Sequence, residues 1–106
     1  MNIFVLHPMP DIAARMQCDR HVVKMTLETA QMLSTAINEL GGQAPYKSAH
    51  VNHPCSVWAR ETLSNFEWLW EHGINLAQEY TARYGKVHKS EAVIRDCRRT
   101  MKARQL

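Results

Sequence analysis

No stretch of this 106-residue chain approaches the ~20 consecutive apolar residues that a membrane-spanning helix requires. The opening Met1-Asn2-Ile3-Phe4-Val5-Leu6 is apolar, but it lacks a basic flank and is cut short by Pro8 and Pro10. It is therefore not expected to be a secretory leader. The sequence has no internal repeat, no low-complexity tract, no glycine-rich phosphate loop, no His-Glu-x-x-His helix and no Ser-His-Asp order. It has three cysteines, an odd count that does not form a disulfide framework. Reduced thiols in a cytoplasmic compartment are the simplest expectation.

A hydrophobic share of 45% and a charged share of 22% are those of a soluble globular chain. One helical domain over residues 1–106, with a modest core, is expected. The net charge of +3 is unevenly spread: residues 82–106 carry eight Lys or Arg against two acids, and residues 1–81 carry five against eight. A basic end on a mildly acidic body attracts polyanions, although it also serves solubility.

Periodicity predicts a small all-α bundle of two long helices and a shorter basic C-terminal helix, preceded by a short extended N-terminus that inserts into the core. Asp11 is the expected N-cap of a first helical stretch from Ile12, which either continues through Cys18-Asp19 or restarts there. Gly41-Gly42 ends the first long helix. Residues 43–55 hold two prolines and no helical period, so they read as a long loop. The second long helix is expected from about Ser56 to Tyr84, with Ala59, Leu63, Phe66, Trp70, Ile74, Ala77 and Tyr80 as its core stripe. Gly73 is a candidate bend within it. The third helix is expected over Ser90–Arg104, with Arg95, Arg98, Arg99 and Lys102 as a basic stripe.

The strongest local signal is polar. His21, Lys24, Glu28, Gln31 and Thr35 recur at steps of three and four, so at 3.6 residues per turn they share about a quarter of one helix face. The remainder of that helix is largely apolar. A seam this narrow reads as the wall of a site, with an ordinary solvated face as the alternative. The loop adds Tyr46, Lys47, His50, Asn52 and His53, and is expected to hang over the His21 end of the seam. Glu28, His21 and His53 are then acid/base candidates, with Lys24 and Arg60 as anion-binding groups.

Cys18-x-x-His21 and His50-x-x-His53-x-Cys55 offer five zinc donors at looser spacing than a zinc finger, so the reading commits to no metal and no cofactor. Arg83, Lys86, Lys89 and the third-helix stripe are phosphate-neutralising candidates, with Tyr80, Tyr84 and His88 near enough to stack on bases. Core packing is the default for Trp58, Trp68 and Trp70.

Cys18-Asp19-Arg20-His21-Val22-Val23-Lys24-Met25, Tyr46-Lys47, His50-Val51-Asn52-His53-Pro54-Cys55 and Tyr84-Gly85-Lys86-Val87-His88-Lys89-Ser90, with the Met-Asn-Ile-Phe-Val-Leu start, resemble an uncharacterised family of small tailed-phage proteins. More distantly, the layout resembles the pyrimidine-dimer DNA glycosylases: an extended N-terminus, a long helix with a charged cluster, a Tyr-Lys…His-Pro loop and a long aromatic helix. That resemblance implies an all-α protein acting on DNA. The α-amine of residue 2 would attack the sugar, a helix carboxylate would assist, and cations would hold phosphates. By position Asn2 takes the nucleophile's place, His21 the carboxylate's, and Arg20 and Lys24 the phosphate-binding places. Asn2 is large for routine removal of Met1, and the carboxylate Glu28 lies two turns beyond His21.

The expected function is a phage-encoded nucleic-acid- or nucleotide-binding protein acting on a glycosidic bond, in the host cytoplasm. Its binding set is Asn2, Arg20, Lys24, Gln31, Tyr46, Lys47, His50, Asn52, Arg60, Lys86 and His88. The alternatives are a non-catalytic binder that sequesters a small signalling nucleotide, and an interaction protein whose seam is a subunit contact. Oligomeric state is open, with a homodimer one option.

Overall fold

The computed structural model describes residues 2–104; Met1, Gln105 and Leu106 lie outside the described residues. Five helices follow in order: α1 (Pro10–Arg15), α2 (Asp19–Glu39), α3 (Pro54–Glu61), α4 (Leu63–Tyr84) and α5 (Glu91–Arg104). No strand occurs among the described residues, and no helix there is long and apolar enough to cross a membrane. The all-α architecture follows from the sequence pattern; the division into helices differs from it at the start of the first helix and within the second long one.

The first helix starts at Pro10 with Met9 as N-cap, in place of Asp11. Proline suits a first helical position because the N–H it lacks has no intrahelical partner there. The chain then breaks and α2 restarts at Asp19. At its far end α2 closes through Gly41, at φ 92°, with Gly42 N–H donating to Ile37 O and Gly41 N–H to Asn38 O. This paired pattern needs a left-handed residue that glycine adopts without strain.

The expected second long helix is two. Thr62 is extended, at φ −139° and ψ 155°, and its hydroxyl accepts the Asn65 N–H at 3.0 Å, capping a new helix. Asn65 donates onward to Trp58 O at 2.8 Å, which ties the two segments together. The break shifts the helical phase, so Leu63 is 60% exposed and leaves the core stripe predicted for it.

The helix α2 packs most extensively on α4 and also meets α3 and α5. Met32, Leu33 and Ile37 of α2 bury against Phe66 and Leu69 of α4 and Ile94 and Cys97 of α5. A smaller cluster joins Ala14, Val22, Met25 and Leu76, with Phe4 and Tyr80 packed on it. The N-terminal segment is extended and only partly inserted: Ile3 and Phe4 pack inward, whereas Val5 and Leu6 face solvent. Trp58 and Trp70 pack on the main cluster, and Trp70 Nε1–H donates to Ile94 O.

His72 is buried in α4, stacked on Trp68, with Nδ1 at 3.1 Å from Pro10 O. The carbonyl accepts, so Nδ1 carries the hydrogen. Burial holds the imidazole below its ordinary 6.5, and the bond to Pro10 opposes this only in part. The folded state thus favours the neutral ring, and the unfolded chain binds the proton first as pH falls. Stability from this group is complete above the unfolded value and is lost as pH drops below it. We expect the thermal midpoint to fall between pH 7 and pH 5 and the fall to be shallower in His72→Gln, read by circular dichroism. Equal slopes in the two proteins would assign the effect to other groups.

Candidate functional site

Four of the five seam residues, His21, Lys24, Glu28 and Gln31, line one cleft of about 440 Å³ along α2. Arg20 lies at its rim, Asn2 and Phe4 of the N-terminal segment form a second wall, and His50 approaches from the loop. Asn2 and Phe4 meet the cleft together because alternate residues of an extended segment point the same way.

The central contact joins residues 26 apart in sequence: Asn2 N–H donates to Glu28 Oε1 at 3.2 Å. The carboxylate that meets the residue-2 nitrogen is thus that of Glu28, two turns beyond His21. His21 has a different contact. Its ring stacks on Phe4 at 4.5 Å between centroids and 17° between planes. Gln17 Nε2–H donates to Phe4 O at 2.9 Å, so the segment is held at both its face and its backbone. Phe4 as a wall of the cleft, and Gln17 as its support from behind, were not legible, although the Asn2/Phe4 alternation was available in the sequence.

Thr35, the fifth seam residue, is fully buried and does not line the cleft. Its hydroxyl donates to Gln31 O at 2.8 Å, accepts the Ala49 N–H at 3.0 Å and lies 3.3 Å from Ala49 O. Asn38 adds bonds to Tyr46 O and Ala44 N. The loop is thus anchored beyond the Gln31 end of the seam and not over the His21 end. His50, next to the clamp, has φ 48°, a left-handed conformation costing a non-glycine residue about 1–2 kcal/mol.

The other expected site residues do not line this cleft. His53 Nδ1 accepts the Cys55 N–H and caps α3. Arg60 donates to Val51 O at 2.8 Å. Tyr46 pairs its hydroxyl with Ser90 and packs on the core. His88 Nε2 lies 3.0 Å from Val23 O, while its Nδ1 accepts the Ser90 N–H. Lys47, Asn52 and Lys86 are exposed elsewhere on the surface. His53, Arg60, Tyr46 and His88 hold the loop and the α4–α5 turn in shape, a role that sequence spacing does not distinguish from ligand binding.

Much of the basic end is committed internally. Arg83 donates to Gln17 O, Arg15 O, Asp19 and Glu79, closing the α1–α2 break onto α4. Arg98 stacks over Trp70 at 4.2 Å and pairs with Glu67, Arg95 pairs with Glu91, and Arg99 with Asp96. The α5 stripe is therefore a set of ion pairs more than an open row of cations.

The cysteines are free thiols, and burial pushes the Cys97 thiol up to about 11. Among the described residues, no three His, Cys, Asp or Glu side chains gather as a metal-ligand set.

What the cleft contains is a carboxylate against a backbone nitrogen, two long cations at one end, and an amide and an imidazole at the other. That set can hold a phosphodiester and deliver or accept a proton beside it. A family model described as pyrimidine dimer DNA glycosylase matches residues 1–92, so the chain belongs to that family. No curated protein and no solved structure matches the chain.

Proposed function

We propose that this member of the pyrimidine dimer DNA glycosylase family excises a damaged pyrimidine from duplex DNA at the α2 cleft, with Glu28 as its acid/base group. The observation that carries the reading is the 3.2 Å contact between Glu28 and the nitrogen of Asn2, inside a cleft rimmed by Arg20 and Lys24.

Arg20 and Lys24, one helical turn apart at one end of the cleft, hold strand phosphates beside the lesion. Glu28 lies beside the sugar. With Met1 in place the residue-2 nitrogen is an amide and no nucleophile, so water is the attacking group. Glu28 takes the water's proton as oxygen bonds to C1′ and the C1′–N1 bond breaks. The bond's electron pair and then a proton from Glu28 go to the base, which stays joined to its neighbour through the cyclobutane ring. The carboxylate's charge stabilises the cationic sugar in the transition state. The product is an abasic site. His21 serves by stacking on Phe4 and keeping Asn2 against Glu28.

The test is a duplex oligonucleotide bearing one cyclobutane pyrimidine dimer. Alkali-labile strand breaks should appear at the lesion and be absent from the undamaged duplex, and borohydride should trap no protein–DNA adduct. A trapped adduct would overturn the water step and identify a freed amine as nucleophile. Lys24→Ala should weaken binding about tenfold or more and lower the salt slope by about one. Identical binding to damaged and undamaged duplex, with no product, would defeat the reading.

A further inference from the structure

The cleft is chemically polarised along α2. Arg20 and Lys24 lie toward its N-terminal end, Glu28 is central, and Gln31 lies one turn before the buried Thr35 clamp. From Arg20 to Gln31 the helix rises about 16 Å at 1.5 Å per residue, which is room for more than one nucleotide. Among the described residues, no Lys or Arg lines the Gln31 end, where the other polar group is His50. An amide and an imidazole each present a donor and an acceptor, the complement that reads a base edge and not the one that neutralises a phosphate.

His50 is also held where it is at a cost. Its backbone is left-handed at φ 48°, a conformation glycine adopts freely. Thr35 grips Ala49 on one side, and His53 N–H donates to His50 O at 3.0 Å on the other. Strain fixed from both sides, at a residue facing a cleft, serves the side chain it presents. Resting on the glycosylase reading, we propose that Gln31 and His50 form a base-reading end of the cleft, opposite the phosphate-holding end at Arg20 and Lys24.

The experiment uses Glu28→Gln protein as parent, so that substrate is not consumed, and two duplexes of one sequence. One carries a cyclobutane pyrimidine dimer, the other a tetrahydrofuran abasic analogue that keeps the phosphates and lacks the base. Adding His50→Gly should weaken binding to the dimer duplex about tenfold and leave the abasic duplex unchanged. Gln31→Leu should do the same, whereas Lys24→Ala should weaken both duplexes by one common factor. The melting midpoint of the His50→Gly protein should equal or exceed that of its parent.

Equal weakening of both duplexes by His50→Gly would make His50 a phosphate contact and overturn this inference alone. A lower midpoint would make His50 a structural residue and also overturn it. Failure of the parent to bind either duplex would remove the glycosylase reading itself, and this inference with it.

Discussion

Glu28→Gln should reduce base excision by about 10²–10⁴-fold, the usual contribution of a positioned acid/base group. The substitution keeps the shape of the side chain and an oxygen able to accept the Asn2 N–H, so the 3.2 Å contact can survive while proton transfer and negative charge are lost. Glu28 is half-buried on the cleft side of α2, away from the cluster of Leu33, Ile37 and Phe66. An isosteric change that keeps one hydrogen bond at a half-buried position costs about 1 kcal/mol or less. The decisive pattern is a collapsed single-turnover rate in a protein that is still folded at the assay temperature and retains duplex binding. Full activity in Glu28→Gln would remove the carboxylate from the mechanism. A loss of activity that tracks unfolding would assign Glu28 to the fold.

Gly73→Ala should destabilise the protein, although alanine is the better helix former by about 1 kcal/mol. A Cβ at Gly73 would lie 2.6 Å from Thr29 Cγ2 and 3.3 Å from Ile94 Cδ1. Thr29 is buried and β-branched, so its rotamer has little freedom within α2. Overpacking of this kind costs about 1–3 kcal/mol, enough to outweigh the propensity gain and lower the midpoint by several degrees. The clash also has a functional direction. Thr29 follows Glu28, so pushing α2 off α4 moves the carboxylate relative to Asn2, and excision should fall even where the variant remains folded. Thr29→Ser removes the colliding methyl and keeps the hydroxyl. The double variant should recover both stability and rate, because the two sites are in contact and their effects couple. A Gly73→Ala protein as stable as the parent would show that α2 and α4 can separate at no cost.

The seam shows why part of the candidate site was legible. Spacing of three and four residues is a property of one helix, so His21, Lys24, Glu28 and Gln31 share a cleft by local geometry alone. Thr35 follows the same spacing yet is buried, because the loop it clamps arrives from beyond the helix. The break at Thr62 was signalled by a threonine three residues before Asn65, a capping pattern hidden within a convincing apolar stripe.

Cation counting was the weaker guide. Sequence charge attracts a polyanion to the basic end, but Arg83 and Arg98 are spent on backbone carbonyls, carboxylates and Trp70. Lysine and arginine side chains are long enough to reach partners on other helices, so their availability is decided only after packing.

By itself the sequence determined the helical class, the glycine stop after α2 and the polar seam, all of which depend on residues within a turn or two of one another. Tertiary structure alone decided that Asn2 meets Glu28, that the loop is anchored at Thr35 and that His50 faces the cleft. Those contacts link segments 14 to 26 residues apart, and their register is set by how α2 buries its apolar face against α4, which no local spacing encodes.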